Sequence, residues 1–248
     1  HGLKTQSLEH LNHVMQEITE LIGKGKNQIT MECVSVDDAT PYACDDAFAT
    51  LELTKFWQKV LDEDELKLLY DIEVPVSLVL AQMEYDGVSI NTDYLKTLSD
   101  EFSNKINDLE TKIFDIAGEK FNVNSPKQVG EILFDKLQIA QKHKKRGKSA
   151  YSTSAEVLEE LAEENEICKY LLEHRQFSKL KSTYTDSLPL LVSRKDGRIH
   201  TSYNQTVTTT GRLSSSNPNL QNIPARTEEG NKIRQAFVAK DRKHGVLL

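Results

Sequence analysis

The residues best equipped for chemistry lie late in the chain. Thr208-Thr209-Thr210-Gly211-Arg212-Leu213-Ser214-Ser215-Ser216-Asn217-Pro218-Asn219-Leu220-Gln221-Asn222-Ile223-Pro224 is rich in Arg, Asn, Gln, Ser and Thr, and only Leu213, Leu220 and Ile223 offer apolar anchors. Carboxamides and hydroxyls both donate and accept, and a guanidinium donates from a fixed fork, so such a segment suits base edges, sugars and minor-groove acceptors. Those acceptors are nearly alike in every base pair, which suits a protein that holds any correct pair. A polar surface loop is the alternative reading of the same residues. A second, sparser pattern is Tyr42-Ala43-Cys44-Asp45-Asp46. On a helix it places a phenol and a carboxylate one turn apart.

Cysteine chemistry is not indicated. Cys33, Cys44 and Cys168 are scattered, without CxxC spacing, so they form neither a metal site nor a disulfide framework, and structural thiols in a reducing cytoplasm are expected. The net charge of −7 argues at first against a polyanion partner, but its distribution is uneven. Residues 1–62 carry −5 and residues 63–116 carry −9, whereas residues 117–248 hold 22 Lys/Arg against 15 Asp/Glu, or +7. That fits a protein gripping a polyanion with one portion only; two ordinary surfaces would give the same numbers.

The elements that must position these residues are mainly helical. Apolar residues at helical spacing predict helices over Leu8–Ile22, Tyr42–Leu61 (with Phe48, Leu51, Phe56 and Val60 inward), Leu66–Met83 with an adjustment at Pro75, and Ile167–Leu191. Gly23–Asn27 breaks the first, and Asp86-Gly87 predicts a turn before the extended Val88-Ser89-Ile90. A long helix capped by Asn91 or Thr92 carries the stripe Leu95, Leu98, Phe102, Ile106, Leu109, Ile113, Ile116, close to a heptad seam, and Gly118 can end it. Ser125-Pro126-Lys127-Gln128 and Thr153-Ser154-Ala155-Glu156 read as capping boxes, the second opening a helix through Leu161. Between them Lys142–Lys148 holds five cations and no apolar residue, which predicts an exposed loop. Strand-like alternation appears in Arg198–Tyr203 and Gln205–Thr208, and Gly245–Leu248 reads as a strand being entered. The fold class expected is mixed α and β, mostly α. No apolar run approaches a membrane span, and there is no signal-peptide pattern. The chain starts with His1 rather than Met, and both ends look cut.

The blocks Thr210-Gly211-Arg212-Leu213-Ser214-Ser215 and Pro218-Asn219-Leu220-Gln221-Asn222-Ile223-Pro224, continuing through Arg226-Thr227-Glu228-Glu229-Gly230 to Ile233-Arg234-Gln235-Ala236-Phe237, resemble the opening of the palm domain in family A DNA polymerases. Lys179-Leu180-Lys181-Ser182-Thr183-Tyr184 resembles that family's thumb-to-palm helix; Phe121–Gln128 and Ser152-Thr153-Ser154 resemble its thumb. The resemblance covers essentially the whole chain and implies three parts: the end of an α/β 3′–5′ exonuclease domain (1–62), a helical thumb with long antiparallel helices (63–196), and the start of an antiparallel palm sheet (197–248).

It also implies roles. Arg212 would lie in the minor groove at the primer terminus, with Asn219, Gln221 and Asn222 at the terminal base pairs and template strand. Arg226 would serve the primer phosphate or the incoming triphosphate. Lys179, Lys181, Ser182 and Thr183 would contact the duplex backbone, as would Asn124, Gln128, Ser152 and Ser154, with Lys144, Lys145 and Arg146 at the thumb tip. Ser125, Gln128 and Thr153 already have work as helix caps. Tyr42 and Asp46 match the third exonuclease motif, where Asp46 would ligate Mg²⁺ or Mn²⁺ and Tyr42 would orient the attacking water. The implied partners are primer–template DNA and, for the parent enzyme, dNTPs. No membrane is involved, and a cytoplasmic, nucleoid-associated monomer is expected. The remaining exonuclease carboxylates would precede His1 and the first polymerase Asp would follow Leu248, so these 248 residues alone are expected to be inactive. A non-catalytic duplex-binding module is the alternative, and an accidental polar tail on a coiled-coil protein is a third reading.

Overall fold

In the computed structural model, residues 2–139 and 151–239 are described. They form two compact units that divide at Leu78/Val79. The expected Lys142–Lys148 loop and the Gly245–Leu248 strand lie outside the described residues, as do Lys144, Lys145 and Arg146. No helix among the described residues is long and apolar enough to cross a membrane.

The first unit is helical. The single helix expected over Leu8–Ile22 is instead two, α1 (Leu3–Leu11) and α2 (Ile18–Ile22). Asn12 takes a left-handed conformation (φ 53°), which short amide side chains tolerate, and its amide and that of His13 both reach the Ser7 carbonyl. Helix α3 (Val36–Val60) starts earlier than expected because Ser35 caps the Asp38 amide at 3.1 Å. The expected inward residues Phe48, Leu51 and Val60 are each 54% exposed, and the helix buries Ala49 and Leu53 instead. His10 stacks on Phe56 and meets Trp57 edge-on, so aromatic contacts hold α1 against α3. Helix α4 (Glu63–Leu68) opens with a full Asp62/Glu65 capping box. A wide turn over Leu69–Glu73 then leads into α5 (Val74–Asp86). Pro75 explains the widening, because it has no N–H to return to the preceding turn.

The second unit is built on α6 (Thr92–Ala117) and α9 (Glu166–Leu180). Their contacts run in opposite order along the two helices: Ser99 with Asp186 just past α9, Phe102 with Phe177, Lys105 with Glu173, Lys112 with Tyr170. The pair is therefore antiparallel. Asn91 caps α6 on the Tyr94 amide, and Gly118 ends it at φ 73°. The expected stripe is buried at Leu95, Leu98, Phe102, Leu109 and Ile113, with Ile106 half-buried, but it ends on Ala117, not Ile116, which is 38% exposed. A 3.6-residue period drifts away from a strict heptad, and over this length the buried face has moved by one residue.

Two apolar clusters fill the unit. One joins Ile113 and Ala117 to Val129, Leu133 and Phe134 around α7 (Pro126–Gly130), to Leu158 of α8 (Ala155–Ala162), and to Ile167 and Leu171. The other joins Leu95, Leu98, Phe102, Leu180 and Tyr184 to Ile199 and to Ile233 of α10 (Glu228–Gln235). This second cluster seats the polar segments on the helices.

Short antiparallel strands complete the unit. β1 (Ser89–Ile90) pairs with β4 (Phe237–Val238), and β2 (Ser202–Asn204) pairs with β3 (Ser214–Ser216) in the register Tyr203↔Ser215. Strand structure expected over Arg198–Tyr203 is confined to an isolated Val88–Ile199 bridge and to β2, and Gln205–Thr208 is not a strand. The partner of β2 comes from the serine run 214–216. The serines carry little β preference of their own, and a hydrogen-bonded ladder overrides that.

Gly87 is required where β1 begins. It sits at φ 60°, and a Cβ there would lie 2.7 Å from the Ile199 carbonyl oxygen and 2.8 Å from the His200 ring. His200 fills that space. Its Nδ1 donates to the Glu84 carbonyl at 2.7 Å and its Nε2 donates to Asp196 at 2.9 Å. The hydrogen bond to Glu84, followed by Asp196, raises the imidazole above its ordinary value, against the opposing effects of desolvation and Arg198. The nearby Glu84 carboxylate is engaged by the Tyr203 amide at 2.6 Å. The cationic form is thus favoured by folding. Its stabilising contribution should be full below the ordinary imidazole value of about 6.5 and fade as pH rises through the raised folded value. The Tm difference between wild type and His200→Gln should be largest near pH 6 and shrink toward pH 8.5. A pH-independent difference would show that the imidazole acts by packing alone.

Candidate nucleic-acid interface

The polar segment 205–226 is held from beneath by buried hydroxyls. Ser215, 4% exposed, accepts the Leu220 amide at 3.0 Å and the Gln221 amide at 3.3 Å, and donates to Asn219 Oδ1 at 3.2 Å. Asn219 Oδ1 also accepts the amides of Gln221 (3.0 Å) and Asn222 (3.2 Å). Asn219, expected at the base pairs, therefore has its carbonyl oxygen committed to shaping the turn. Tyr184, at the end of the α9 continuation, donates its phenol to the Asn222 carbonyl. Desolvation raises that phenol above its ordinary value, so it remains a donor. The Thr201 hydroxyl lies 2.7 Å from the Pro218 carbonyl and 3.1 Å from that of Ser216, with one proton to share between them.

These anchors leave other side chains free. Gln221 and Asn222 are exposed, and so is Arg212. The Arg212 carbonyl is fixed by the Thr208 hydroxyl, but among the described residues its guanidinium has no hydrogen-bond or ion-pair partner. Arg226 is likewise exposed and unpaired among the described residues, just before α10. Helix α10 begins with the Thr227 hydroxyl accepting the Gly230 amide at 3.1 Å. A Cβ at Gly230 would come within 2.6 Å of Pro224, so only glycine lets α10 press this closely on the segment.

The remaining expected contacts divide into free and committed groups. Lys179 is exposed and unpaired among the described residues, and Thr183 is exposed. Lys181 is 2.7 Å from Asp186, which also accepts from Ser99 at 2.6 Å. Burial pulls the Asp186 carboxyl up, but Lys181 and Ser99 outweigh it and hold it below its ordinary range. A phosphate would have to displace that pairing to engage Lys181. The Ser182 hydroxyl donates back to the Lys179 carbonyl at 3.3 Å.

Farther along the helices, Asn124 is exposed. Gln128 completes a wider capping arrangement than expected, because its side chain accepts the Asn122 amide at 2.7 Å rather than that of Ser125. The second capping box is shifted by one residue. Ser154, not Thr153, caps α8, with Ser152 at 3.5 Å from it. Thr153 is instead bound by both Arg175 terminal nitrogens, through its carbonyl and its hydroxyl. Arg175 and Tyr184 hold the candidate contacts in place; Arg175 does not stand out in the sequence, and Tyr184 does so only as the last residue of the Lys179–Tyr184 block, without a role. Helical spacing marks Arg175 only as part of a long helix.

In the first unit, Tyr42 and Asp46 lie one turn apart on α3, both half-buried. The neighbouring Asp45 is bound by His13 Nε2 at 2.6 Å. Among the described residues no group of three or more His, Cys, Asp or Glu is placed to hold a metal ion. Asp46 with its present neighbours does not make a cage for Mg²⁺ or Mn²⁺, which take several oxygen ligands. Cys168 is buried, which pushes its thiol up to about 11, while Cys33 and Cys44 are exposed rather than structural.

Residues 92–248 match the sequence profile described as DNA polymerase family A. DNA polymerase I of Pseudomonas aeruginosa is 46% identical over 242 residues, covering 96% of this chain and 26% of the relative. DNA polymerase I of Bacillus subtilis is 44% identical over 232 residues, covering 93% and 26%. The chain thus spans about a quarter of the length of these curated relatives. Among solved structures, the POL domain of Pol1 from M. smegmatis, in complex with DNA primer-template and dNTP, aligns with a TM-score of 0.78 at 35% identity. The alignment covers 96% of this chain and 38% of that one.

Proposed function

The chain belongs to DNA polymerase family A, and from that premise we propose that it is the duplex-holding part of a DNA-directed DNA polymerase that extends a primer on a DNA template in replication and repair. The observation that carries the reading is the segment 205–226. Its backbone is fixed between Ser216 and Asn222 by Ser215, Tyr184, Thr201 and Asn219, and at Arg212 by Thr208, while Arg212, Gln221, Asn222 and Arg226 stay exposed. A rigid backbone with uncommitted donors is what sequence-indifferent minor-groove contact needs. Arg212 holds the primer terminus, Gln221 and Asn222 face the terminal pairs, and Asn219 acts by shaping the turn. Arg226 meets primer or triphosphate oxygens. Lys179, Lys181, Ser182, Thr183, Asn124, Gln128, Ser152 and Ser154 follow the duplex backbone, and Lys144, Lys145 and Arg146 add charge for the same phosphates.

In this reading residues 1–62 are the end of a 3′–5′ exonuclease-like domain, 63–196 the thumb and 197–248 the start of the palm. Tyr42 and Asp46 belong to a proofreading site completed elsewhere in the parent. Divalent metal, Mg²⁺ or Mn²⁺, supplies charge neutralisation at the reacting phosphate in the complete enzyme; the residues of this chain bind and orient DNA. The parent acts as a cytoplasmic, nucleoid-associated monomer.

Extension of a labelled primer tests this. The full-length protein with dNTPs and Mg²⁺ should extend the primer according to template. The 248-residue chain at equal concentration should bind the same DNA without extending or degrading it. A full-length protein with no template-dependent extension, or extension by the short chain, would overturn the assignment.

A further inference from the structure

A basic turn stands apart from the segment 205–226. The chain reverses over Ser193–Arg198, where the Ser193 amide donates to the Arg198 carbonyl at 2.8 Å and the Gly197 amide to the Ser193 carbonyl at 2.9 Å. The Ser193 hydroxyl accepts the Lys195 amide at 3.2 Å. The turn carries Arg194, Lys195 and Arg198, and among the described residues none of the three is in an ion pair. Its acid, Asp196, is already engaged by the Arg198 amide at 3.2 Å and by His200 at 2.9 Å. Asp86, which also lines the hollow, accepts from Gln82 at 3.1 Å. A hollow of about 750 Å³ opens between this turn and the end of α5. On its other side is Tyr85, 81% exposed.

Three cations on a hydrogen-bonded turn beside an exposed aromatic ring, outside any ion pair among the described residues and outnumbering Asp86 and the His200-bound Asp196, match the chemistry of an unpaired nucleic-acid strand. Cations follow its phosphates and the ring stacks on a free base. Duplex DNA hides its base faces, and free phosphate has no use for the ring. We propose that Arg194, Lys195, Arg198 and Tyr85 form a second DNA site that binds a single-stranded extension of the duplex held by segment 205–226. The proposal rests on the duplex-binding reading above. The turn precedes β2 and the Arg212 loop follows it, so the two sites sit at opposite ends of the strand segment. From Arg198 to Gln205 the chain spans at most roughly 23 Å, about seven nucleotides at 3.4 Å each.

The test compares three DNAs by fluorescence anisotropy on the 248-residue chain: a blunt hairpin duplex, and the same duplex with a 2- or a 12-nucleotide single-stranded extension. The long extension should tighten binding about tenfold and the short one should not. Arg194→Ala/Lys195→Ala and, separately, Tyr85→Ala should abolish that gain and leave blunt-duplex affinity unchanged, while Tyr85→Phe should keep it. No gain from the long extension in wild type overturns the proposal. So does a gain that survives both variants, or equal weakening of blunt and extended DNA. Failure of the blunt duplex to bind, with the long extension still bound through Tyr85, would sink the duplex reading and leave this site standing.

Discussion

Replacing Arg212 by Ala in the full-length protein should lower the rate of primer extension about 100-fold, the scale of loss when reacting atoms are slightly misplaced. DNA affinity should fall much less. Arg212 is exposed, and its backbone is held by Thr208, so truncating the side chain should not disturb the fold. Its guanidinium presents several donors in a fixed plane and is always charged. Purine N3 and pyrimidine O2 occupy nearly equivalent places in every correct pair, so one donor holds any matched terminus, and a mispair displaces its acceptor. The substitution should therefore also narrow the difference between extending matched and mismatched ends. Arg212→Lys should restore only part of the rate, since an ammonium lacks the planar fork. Single-turnover extension from matched and mismatched primers, alongside equilibrium binding, separates these effects. Equal losses in rate and affinity, with discrimination unchanged, would reduce Arg212 to a phosphate contact.

The largest effect on stability is expected at Phe102. It is 1% exposed, meets Phe177 edge-on at 5.4 Å between ring centres, and lies in the cluster that joins α6 to Leu180, Tyr184 and α10. Phe102→Ala should cost about 3–5 kcal/mol, from lost burial and the cavity left behind. Ile116→Ala on the same helix should cost about 0.5 kcal/mol or less, because the buried face there has passed to Ala117. Urea denaturation of both variants checks this. Similar losses at the two positions would mean that α6 buries a strict heptad seam instead of the face described.

Much of this architecture was legible from residue pattern. Most of the α6 stripe, the Asn91 and Gly118 boundaries and the adjustment at Pro75 follow from local chemistry and recur in the fold. Two of the misses share one cause, competition from nonlocal contacts. Ser214–Ser216 reads as a polar loop and becomes a strand because β2 lies beside it. Phe48 and Leu51 read as core and stay exposed while Ala49 and Leu53 are buried, since periodicity alone does not say which stripe of α3 meets α1. Within the interface, the presence of Arg212, Gln221 and Asn222 was visible in the sequence. The division of labour was not. That Asn219 and Gln128 use their side-chain oxygens on backbone amides, and that Tyr184 tethers Asn222, depends on distances that no spacing encodes.

The central claim is that this chain grips primer–template duplex through phosphates and sequence-indifferent contacts. Equilibrium binding of the 248-residue chain to several recessed primer–templates, titrated with KCl, tests it most directly. Exposed Lys179 and Arg226, together with Lys144, Lys145 and Arg146, would neutralise five phosphates, so log affinity should fall against log salt with a slope of about −4 to −5, alike for every sequence. Neutralising Lys144, Lys145 and Arg146 together should weaken binding to all of them and flatten the slope by roughly three. Affinity that is indifferent to salt, or confined to one sequence, would contradict the account.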